Sequence, residues 1–211
     1  MSGTAQIYDA RLDPDKDYIA RTFGGITEQL GSYRLVDGDG EVGIESLVGR
    51  DTDGRLIQLP LSYRAEQYSA DQTLVELEHS VLGHRYVSNA LGDPVAVREL
   101  IRTIVTADDG AAYSTGEQPY LAVQGSGSAY DADTEVGRVT LTEVSRQSAQ
   151  GIVTINNRVR SFGLRLPRTL KAKKGAGADY DATRLYLSAP DPEHPGTQLR
   201  VAELFWMDLP V

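Results

Sequence analysis

Residues Gly31–Arg64 read GSYRLVDGDGEVGIESLVGRDTDGRLIQLPLSYR and alternate apolar segments with two acid-rich turns. The turns, DGDG at 37–40 and DTDG at 51–54, combine Asp with Gly, and both residue types favour tight turns. After the second turn, apolar residues alternate with polar ones as far as Tyr63, which is the period of a half-buried strand. Strands joined by such short connections run antiparallel. The segment therefore predicts an antiparallel meander with strands at Glu28–Val36, Val42–Val48 and 57–64.

Two helices are predicted from their capping residues. Asp93 and Pro94 suit the N-cap and the first helical position, and apolar residues then recur at helical spacing as far as Val105. A shorter helix is predicted in the same way from Asp13 as N-cap and Pro14 as first residue. Its apolar stripe and its stop signal are Tyr18, Ile19 and Phe23, followed by Gly24 and Gly25.

The remaining patterns predict more strands. They are Leu74–Val87 (with a break at Gly83), Tyr120–Gln124, Arg138–Ser145, Gly151–Ile155, Val159–Leu166, Arg184–Ala189 and Leu199–Met207. Pro60 has no amide donor, which predicts an edge or a bulge in the third strand. The apolar face switches near Ser161, which predicts a bulge there. The predicted fold class is α+β: a mostly antiparallel, curved β-sheet with one well-marked amphipathic helix and a short N-terminal helix. Closure into a barrel is left open.

Length and composition narrow the class of protein. A chain of 211 residues fits one large domain or two small ones, and we predict a single domain over 1–211 because no clear linker is found. The absence of cysteine and of an apolar N-terminal run favours a cytoplasmic protein without disulfides. No apolar stretch reaches the length of a membrane span, and the net charge of −9 disfavours nucleic acid and anionic membranes as partners.

A run of basic residues stands out against this acidic background. Its members are Arg158, Arg160, Arg165, Arg168, Lys171, Lys173 and Lys174. One interpretation is a solvated strand edge guarded by positive charge. The other is a docking surface for an anionic small ligand or an acidic protein, since Arg grips phosphate and carboxylate with two hydrogen bonds. Trp206, the only Trp, belongs either to a strand buried on both sides or to a partner surface.

Motifs for catalysis are missing from the sequence. His79 and His84 lie five residues apart, which would put them on opposite faces of one strand, with one buried and one exposed. The glycine-rich segment at 125–128 lacks the Lys-Ser/Thr of a phosphate-binding loop. We therefore predict no catalytic residues, no metal and no cofactor.

Two segments, Gly31–Arg64 and Glu76–Ile104, resemble the N-terminal cap domain of actinobacterial maltokinases. More closely, they resemble cap-like relatives of that group that lack the kinase lobes. The shared features are the two acid-rich turns, the PLSYR strand end, the HSVLG core and the Asp-Pro helix start. The resemblance implies a curved antiparallel sheet with helix support over 1–110, followed by additional antiparallel strands over 111–211. It brings no active-site residues, because the catalytic residues of maltokinases lie outside the cap. It implies a role in regulation or in contact with partner enzymes of glycogen and trehalose metabolism.

Three hypotheses about function follow. The leading one is a non-catalytic regulatory or scaffolding module that binds a protein partner in α-glucan or trehalose metabolism. The second is a binding protein for a sugar, a sugar phosphate or a nucleotide, with a pocket under the curved sheet. The pocket would be lined by Tyr33, Tyr63, His84 and Tyr86. The third is an enzyme of unrecognised type with His84 or His79 as general base. The ligand, the partner and the oligomeric state stay open.

Overall fold

The computed structural model describes residues 3–127, 130–131, 133–172 and 184–207. The strands are β1 (Thr4–Ala5), β2 (Leu12–Asp13), β3 (Glu28–Val36), β4 (Gly43–Arg50), β5 (Leu56–Arg64), β6 (Thr73–His79), β7 (Gly83–Asn89), β8 (Ala112–Tyr113), β9 (Gln124–Gly125), β10 (Val136–Val144), β11 (Ser148–Ile155), β12 (Arg158–Arg165), β13 (Lys171–Ala172), β14 (Arg184–Pro190) and β15 (Gln198–Trp206). The helices are α1 (Lys16–Ile19), which runs on into a π-helical turn (Ala20–Gly24), and α2 (Pro94–Val105), which follows a 3-10 turn (Ala90–Gly92). The predicted α+β, mainly antiparallel class is confirmed, and the sheet curls into a half-barrel.

The first sheet has the strand order β2–β6–β7–β5–β4–β3, and every pair in it is antiparallel. The meander β3–β4–β5 matches the prediction from the two acid-rich turns. The predicted strand at Leu74–Val87 is broken close to Gly83, as expected, but the chain also reverses at 80–82, so that its two parts are the antiparallel strands β6 and β7. Gly83 follows this turn with a φ of +72°, a conformation that glycine adopts readily.

The short N-terminal helix begins two residues later than predicted. Asp13 pairs with Glu78 in the first sheet and cannot cap a helix. The cap is Asp15, whose carboxylate accepts a hydrogen bond from the amide of Tyr18 at 2.8 Å. The predicted stop is confirmed, since Gly25 ends the π-helical turn with a φ of +68°. The predicted apolar stripe is only partly correct, because Tyr18 is exposed while Ile19 is buried.

Helix α2 agrees with its prediction at its N-terminus. The Asp93 carboxylate accepts hydrogen bonds from the amides of Val95 and Ala96, and Pro94 takes the first helical position. The apolar face is buried in a core shared by both sheets. The helix ends at Val105, slightly before the Asp108–Gly110 signal.

The second sheet has the order β10–β11–β12–β15–β14–β9, and β13 pairs with one end of β15. Its long strands lie where the patterns predicted them. The prediction of a strand at Tyr120–Gln124 was wrong, because only Gln124 continues into β9. The amide of Tyr120 instead donates to the carbonyl of Ser32, so this segment covers the outer edge of β3. A separate parallel pair joins β1 to β8.

The bulge predicted near Ser161 is absent from the structure of β12. The register of β12 with β11 is unbroken from Arg158 to Arg165. β12 is paired with β15 only over Phe162–Arg165, so its two halves have different neighbours. The apolar pattern switches because the surroundings change, while the backbone stays regular.

Pro60 lies in a part of β5 that β7 leaves unpaired, which confirms the predicted strand edge for this part of the strand. Strand β5 lies inside the first sheet, but β7 pairs only with its Leu61–Arg64 half. The other half pairs on one side with β4, and its open side receives a segment of the second half of the chain. There the amide of Gln58 donates to the carbonyl of Arg168 at 2.8 Å, and the amide of Leu170 donates to the carbonyl of Leu56 at 2.9 Å.

The side chain of Gln58 joins the two sheets at this point. It is buried, and its Oε1 accepts a hydrogen bond from the Tyr33 hydroxyl at 2.8 Å. Its Nε2 donates to the carbonyls of Pro167 at 3.0 Å and Val201 at 2.8 Å. A bulge in the β14–β15 pairing leaves Val201 without a partner on β14, which makes its carbonyl available. The bonds to Tyr33 and Val201 are buried and the bond to Pro167 is partly buried, and an unpaired polar group in such surroundings is costly.

We expect the Gln58→Leu variant to lose about 3 kcal/mol of unfolding free energy, because it removes this partner from the buried Tyr33 hydroxyl and from the carbonyls of Val201 and Pro167. Chemical denaturation of the purified protein measures this loss. The matched control is Gln198→Leu at an exposed position, for which a change within about 0.5 kcal/mol is expected. Equal stability of the two variants would contradict the role given to Gln58.

Candidate functional site

A groove opens where the two sheets meet, on the side of β5 that β7 does not cover. Its volume is about 180 Å³. We call it the junction groove and define it by its lining residues: Phe23, Gly24, Gln58, Leu59, Pro60, Leu74, Asn89, Arg146, Gln147, Leu166 and Arg168. The lining combines residues of the first sheet and the π-helical turn with residues of two loops that follow β10 and β12 of the second sheet.

Two guanidinium groups lie in the groove beside the end of the π-helical turn. Arg168 donates from Nε and Nη2 to the carbonyl of Gly24 at 3.2 and 3.0 Å, and its Nη1 lies 3.4 Å from the Asp51 carboxylate. Arg146 donates from Nη1 to the carbonyl of Phe23 at 3.3 Å. The last carbonyls of a helical segment lack intrahelical partners, so positive charge is favourable here.

The residues of the predicted basic run do not form one surface. Because the register of β12 is regular, Arg158 and Arg160 lie on one face of the strand and Arg165 on the other. Arg160 stacks on the Trp206 ring at 4.0 Å and donates to the Tyr130 hydroxyl at 3.1 Å. Arg168 lies in the junction groove. Lys171 is exposed in β13 opposite Arg200, and Lys173 and Lys174 fall outside the described residues.

The four residues predicted to line a pocket are also distributed over separate places. Tyr33 is buried against Gln58, and its burial raises the pKa of its hydroxyl. Tyr63 lies on the opposite face of the first sheet, where it donates to Glu45 at 3.2 Å. His84 and Tyr86 contact each other edge to face at 5.0 Å on β7. None of the four lines the junction groove.

Glu45 is the most strongly perturbed carboxylate in the described part of the chain. It is buried on the α1 side of the first sheet, with Lys16 Nζ at 2.8 Å and Arg34 Nη2 at 3.1 Å. Burial alone would raise its pKa, but the charges of Lys16 and Arg34 lower the pKa to about 2 from an ordinary 4.5. The cluster ties α1 to the sheet. The contacts of Glu45 therefore stabilise the fold.

The two histidines lie on the β6–β7 hairpin and have different roles. His79 Nδ1 accepts hydrogen bonds from the amides of Val81 and Leu82 at 3.2 and 3.1 Å, which holds the turn. Burial and the nearby Arg85 charge lower the pKa of His79, in keeping with an accepting nitrogen. The prediction of one strand with a buried and an exposed histidine was wrong, because the chain turns between them and both side chains are half-buried.

His84 lies between two carboxylates on the exposed side of the same hairpin. Its Nδ1 is 2.7 Å from Glu78 and its Nε2 is 3.3 Å from Glu76. Neither His79 nor His84 borders the junction groove. Within the described residues, no group of acidic and histidine side chains is arranged to hold a metal ion.

The solvent face of the second sheet carries an apolar area that sequence reasoning missed. We call it the outer patch: Ile152, Val159, Phe205 and Met207. Exposed fractions are 66% for Val159, 43% for Met207 and 41% for Ile152. The pairing places all four on one face, since Ile152 and Met207 both lie opposite Ser161. The alternation of residues in β12 indicates that Val159 is exposed. The rest of the patch is not evident from the sequence, because part of it comes from β15, which is distant along the chain.

The fold of the first sheet can now be compared with known families. Residues 18–93 match the maltokinase N-terminal cap domain. The match runs from α1 to the cap of α2 and confirms the resemblance over that segment. We call these matched residues, 18–93, the maltokinase cap segment; they contain the end of α1, the strands β3–β7 and the Phe23, Leu59 and Leu74 side of the junction groove. No curated protein matches the chain. Across the described ranges, none of the helices has the length and apolarity needed to cross a membrane.

Acid should weaken the fold through Glu45. Its folded-state pKa is below its unfolded value, so its stabilising effect is complete above pH 4.5 and is lost as the pH falls towards 2. The shift corresponds to about 3 kcal/mol. We expect Glu45→Gln to lose most of this stability at neutral pH and to flatten the dependence of unfolding free energy on pH between 4.5 and 2. Denaturation curves across this range measure the effect. Glu66→Gln, at an exposed site, should behave as the wild type. An unchanged slope in Glu45→Gln would refute the assignment.

Proposed function

We propose that this protein is a non-catalytic regulatory or scaffolding module that binds a partner protein in maltokinase-related α-glucan or trehalose metabolism. The observation that carries the proposal is the match of residues 18–93 to the maltokinase N-terminal cap domain. The second sheet offers an exposed apolar surface for such a partner. The junction of the two sheets gives them a common support at Gln58.

The outer patch is the surface best suited to a protein partner. Apolar side chains clustered on one exposed face of a sheet are typical of interaction sites, and Phe and Met are enriched in interface cores. The Phe205 ring lies over Gly163, where a Cβ atom would collide with it, so a glycine is needed to keep the ring flat on the sheet. A flat, preorganised aromatic side chain binds with little loss of conformational entropy.

The charge of the surrounding strands favours an acidic partner. Between Val136 and Lys171 the chain has seven basic residues and one acidic residue, although its net charge is −9. Arg165 lies on the same face as the outer patch, and Arg184 lies 5.8 Å from the Phe205 ring. An acidic rim on the partner would therefore speed association and favour the correct orientation.

Glu45 and His79 serve the fold and are poorly placed for catalysis. Glu45 is buried in ion pairs with Lys16 and Arg34, and His79 is engaged by two backbone amides. A general base has to reach the proton of a bound substrate, and these groups are occupied in holding the fold.

We expect Val159→Asp to weaken partner binding at least about tenfold, because it places a buried charge in the interface core. The partner is identified by capture on the immobilised protein. The dissociation constant is then measured with the purified partner. The milder Val159→Thr variant should give a smaller loss with an unchanged melting temperature.

The matched control is Val81→Asp, since Val81 is also an exposed valine and lies on the β6–β7 turn, away from the outer patch. It should bind like the wild type. Capture of enzymes unrelated to α-glucan or trehalose metabolism, or equal binding by both Asp variants, would contradict the proposal. Transfer of phosphate from ATP to maltose by the purified chain would contradict the proposal that the protein is non-catalytic.

A further inference from the structure

We propose that the junction groove binds a small organic anion, a carboxylate or phosphate ester on a ring the size of one sugar, with Arg146 as the group that recognises the charge. This site goes beyond the proposed partner binding and does not include the outer patch. The same guanidinium fork suits both anions, so the experiment distinguishes them.

The dimensions of the groove limit the ligand. A volume of about 180 Å³ is below the 300 Å³ or so at which pockets for drug-sized ligands begin. A nucleotide would not fit within it, but a single ring with its anionic group at the mouth would. Of the three ligand types considered from the sequence, this volume excludes the nucleotide and leaves the sugar and the sugar phosphate.

The charge in the groove is positive and only partly neutralised. Both charged lining residues are arginines, and none of the lining residues is acidic. Arg168 is already held by Asp51 and the Gly24 carbonyl. Arg146 is exposed and donates one hydrogen bond, to the Phe23 carbonyl, and no carboxylate of the described residues contacts it. Its remaining N–H donors are available to an anion.

The remaining lining fits the body of such a ligand. The floor consists of apolar side chains: Phe23, Leu59, Pro60, Leu74 and Leu166. The C–H face of a sugar ring packs on surfaces of this kind, while its hydroxyls need polar neighbours. Gln147 accepts a hydrogen bond from the Arg168 amide through Oε1, which leaves its NH₂ group as a donor for a hydroxyl.

A ligand in this position would touch both halves of the molecule. Leu59 and Leu74 belong to the maltokinase cap segment, whereas Arg146 lies in the turn between β10 and β11 and Leu166 directly follows β12. Binding to the native state alone raises its stability by mass action. The ligand would therefore strengthen the packing of the two sheets and could signal metabolite levels to a partner.

The test is a titration of the melting temperature of the full chain with four probes: glucose 6-phosphate, glucuronate, glucose and inorganic phosphate. We expect the melting temperature to rise with the concentration of glucose 6-phosphate or glucuronate, and whichever acts at the lower concentration identifies the anion. Glucose and inorganic phosphate alone should be at least about tenfold weaker, since each provides only part of the contacts.

Variants localise the effect. Arg146→Gln should weaken the response at least about tenfold, and Leu74→Trp, which fills the groove, should abolish it. Arg158→Gln is the matched control, an exposed arginine of β12 outside the groove, and should respond like the wild type. If Leu74→Trp fails to fold, the comparison of Arg146→Gln with Arg158→Gln still decides.

Three outcomes would overturn the site. The first is no shift with any probe up to about 10 mM, ten times a weak dissociation constant of about 1 mM. The second is an equal response to inorganic phosphate and glucose 6-phosphate, which means an adventitious ion only. The third is an Arg146→Gln response equal to that of Arg158→Gln. None of these outcomes affects partner binding, which Val159→Asp tests separately.

Discussion

The three hydrogen bonds of the Gln58 side chain hold the architecture together. A buried amide connects a tyrosine of the first sheet to two carbonyls of the second half of the chain. Such a group is costly to bury alone, and it is stable only when both sheets are in place. This makes the packing of one sheet on the other specific, whereas the apolar core between them would tolerate other arrangements. We propose on this basis that both sheets form one domain.

The same junction explains why the candidate ligand site lies where it does. Strand β7 pairs with β5 only from Leu61 onward. The remaining edge of β5 is covered by residues 168–170 instead of another long strand. A short covering segment cannot fill the width of the missing strand, so the groove opens beside it. Arg146 and Arg168 reach this opening because they also bind the end of the π-helical turn. The groove is thus a consequence of how the maltokinase cap segment is joined to the second sheet.

Local chemistry explains which features could be predicted from the sequence. The acid-rich turns and the Asp93–Pro94 cap act within a few residues, so the strands and helix next to them were predicted well. Gly83 marks the break between β6 and β7, but the reversal of the chain at 80–82 is not evident from the sequence, because the turn is held by the His79 ring. The change of apolar face near Ser161 does not mark a bulge. It reflects the neighbour of β12, because β15 pairs only with the half that begins at Phe162. Asp13 was taken as a cap because its pairing with Glu78 is invisible along the chain. The groove and the outer patch combine residues from distant segments, and only Arg168 of the groove was among the predicted site residues.

The most direct test of the account is native-state hydrogen exchange, followed by mass spectrometry on peptides from β4–β5 and from β12 and β15. If the two sheets are one unit joined at Gln58, the slowest amides of both should exchange with the same opening free energy and the same dependence on denaturant. If the second sheet exchanged at a much lower free energy while the maltokinase cap segment stayed protected, the sheets would be independent units and the account would be wrong.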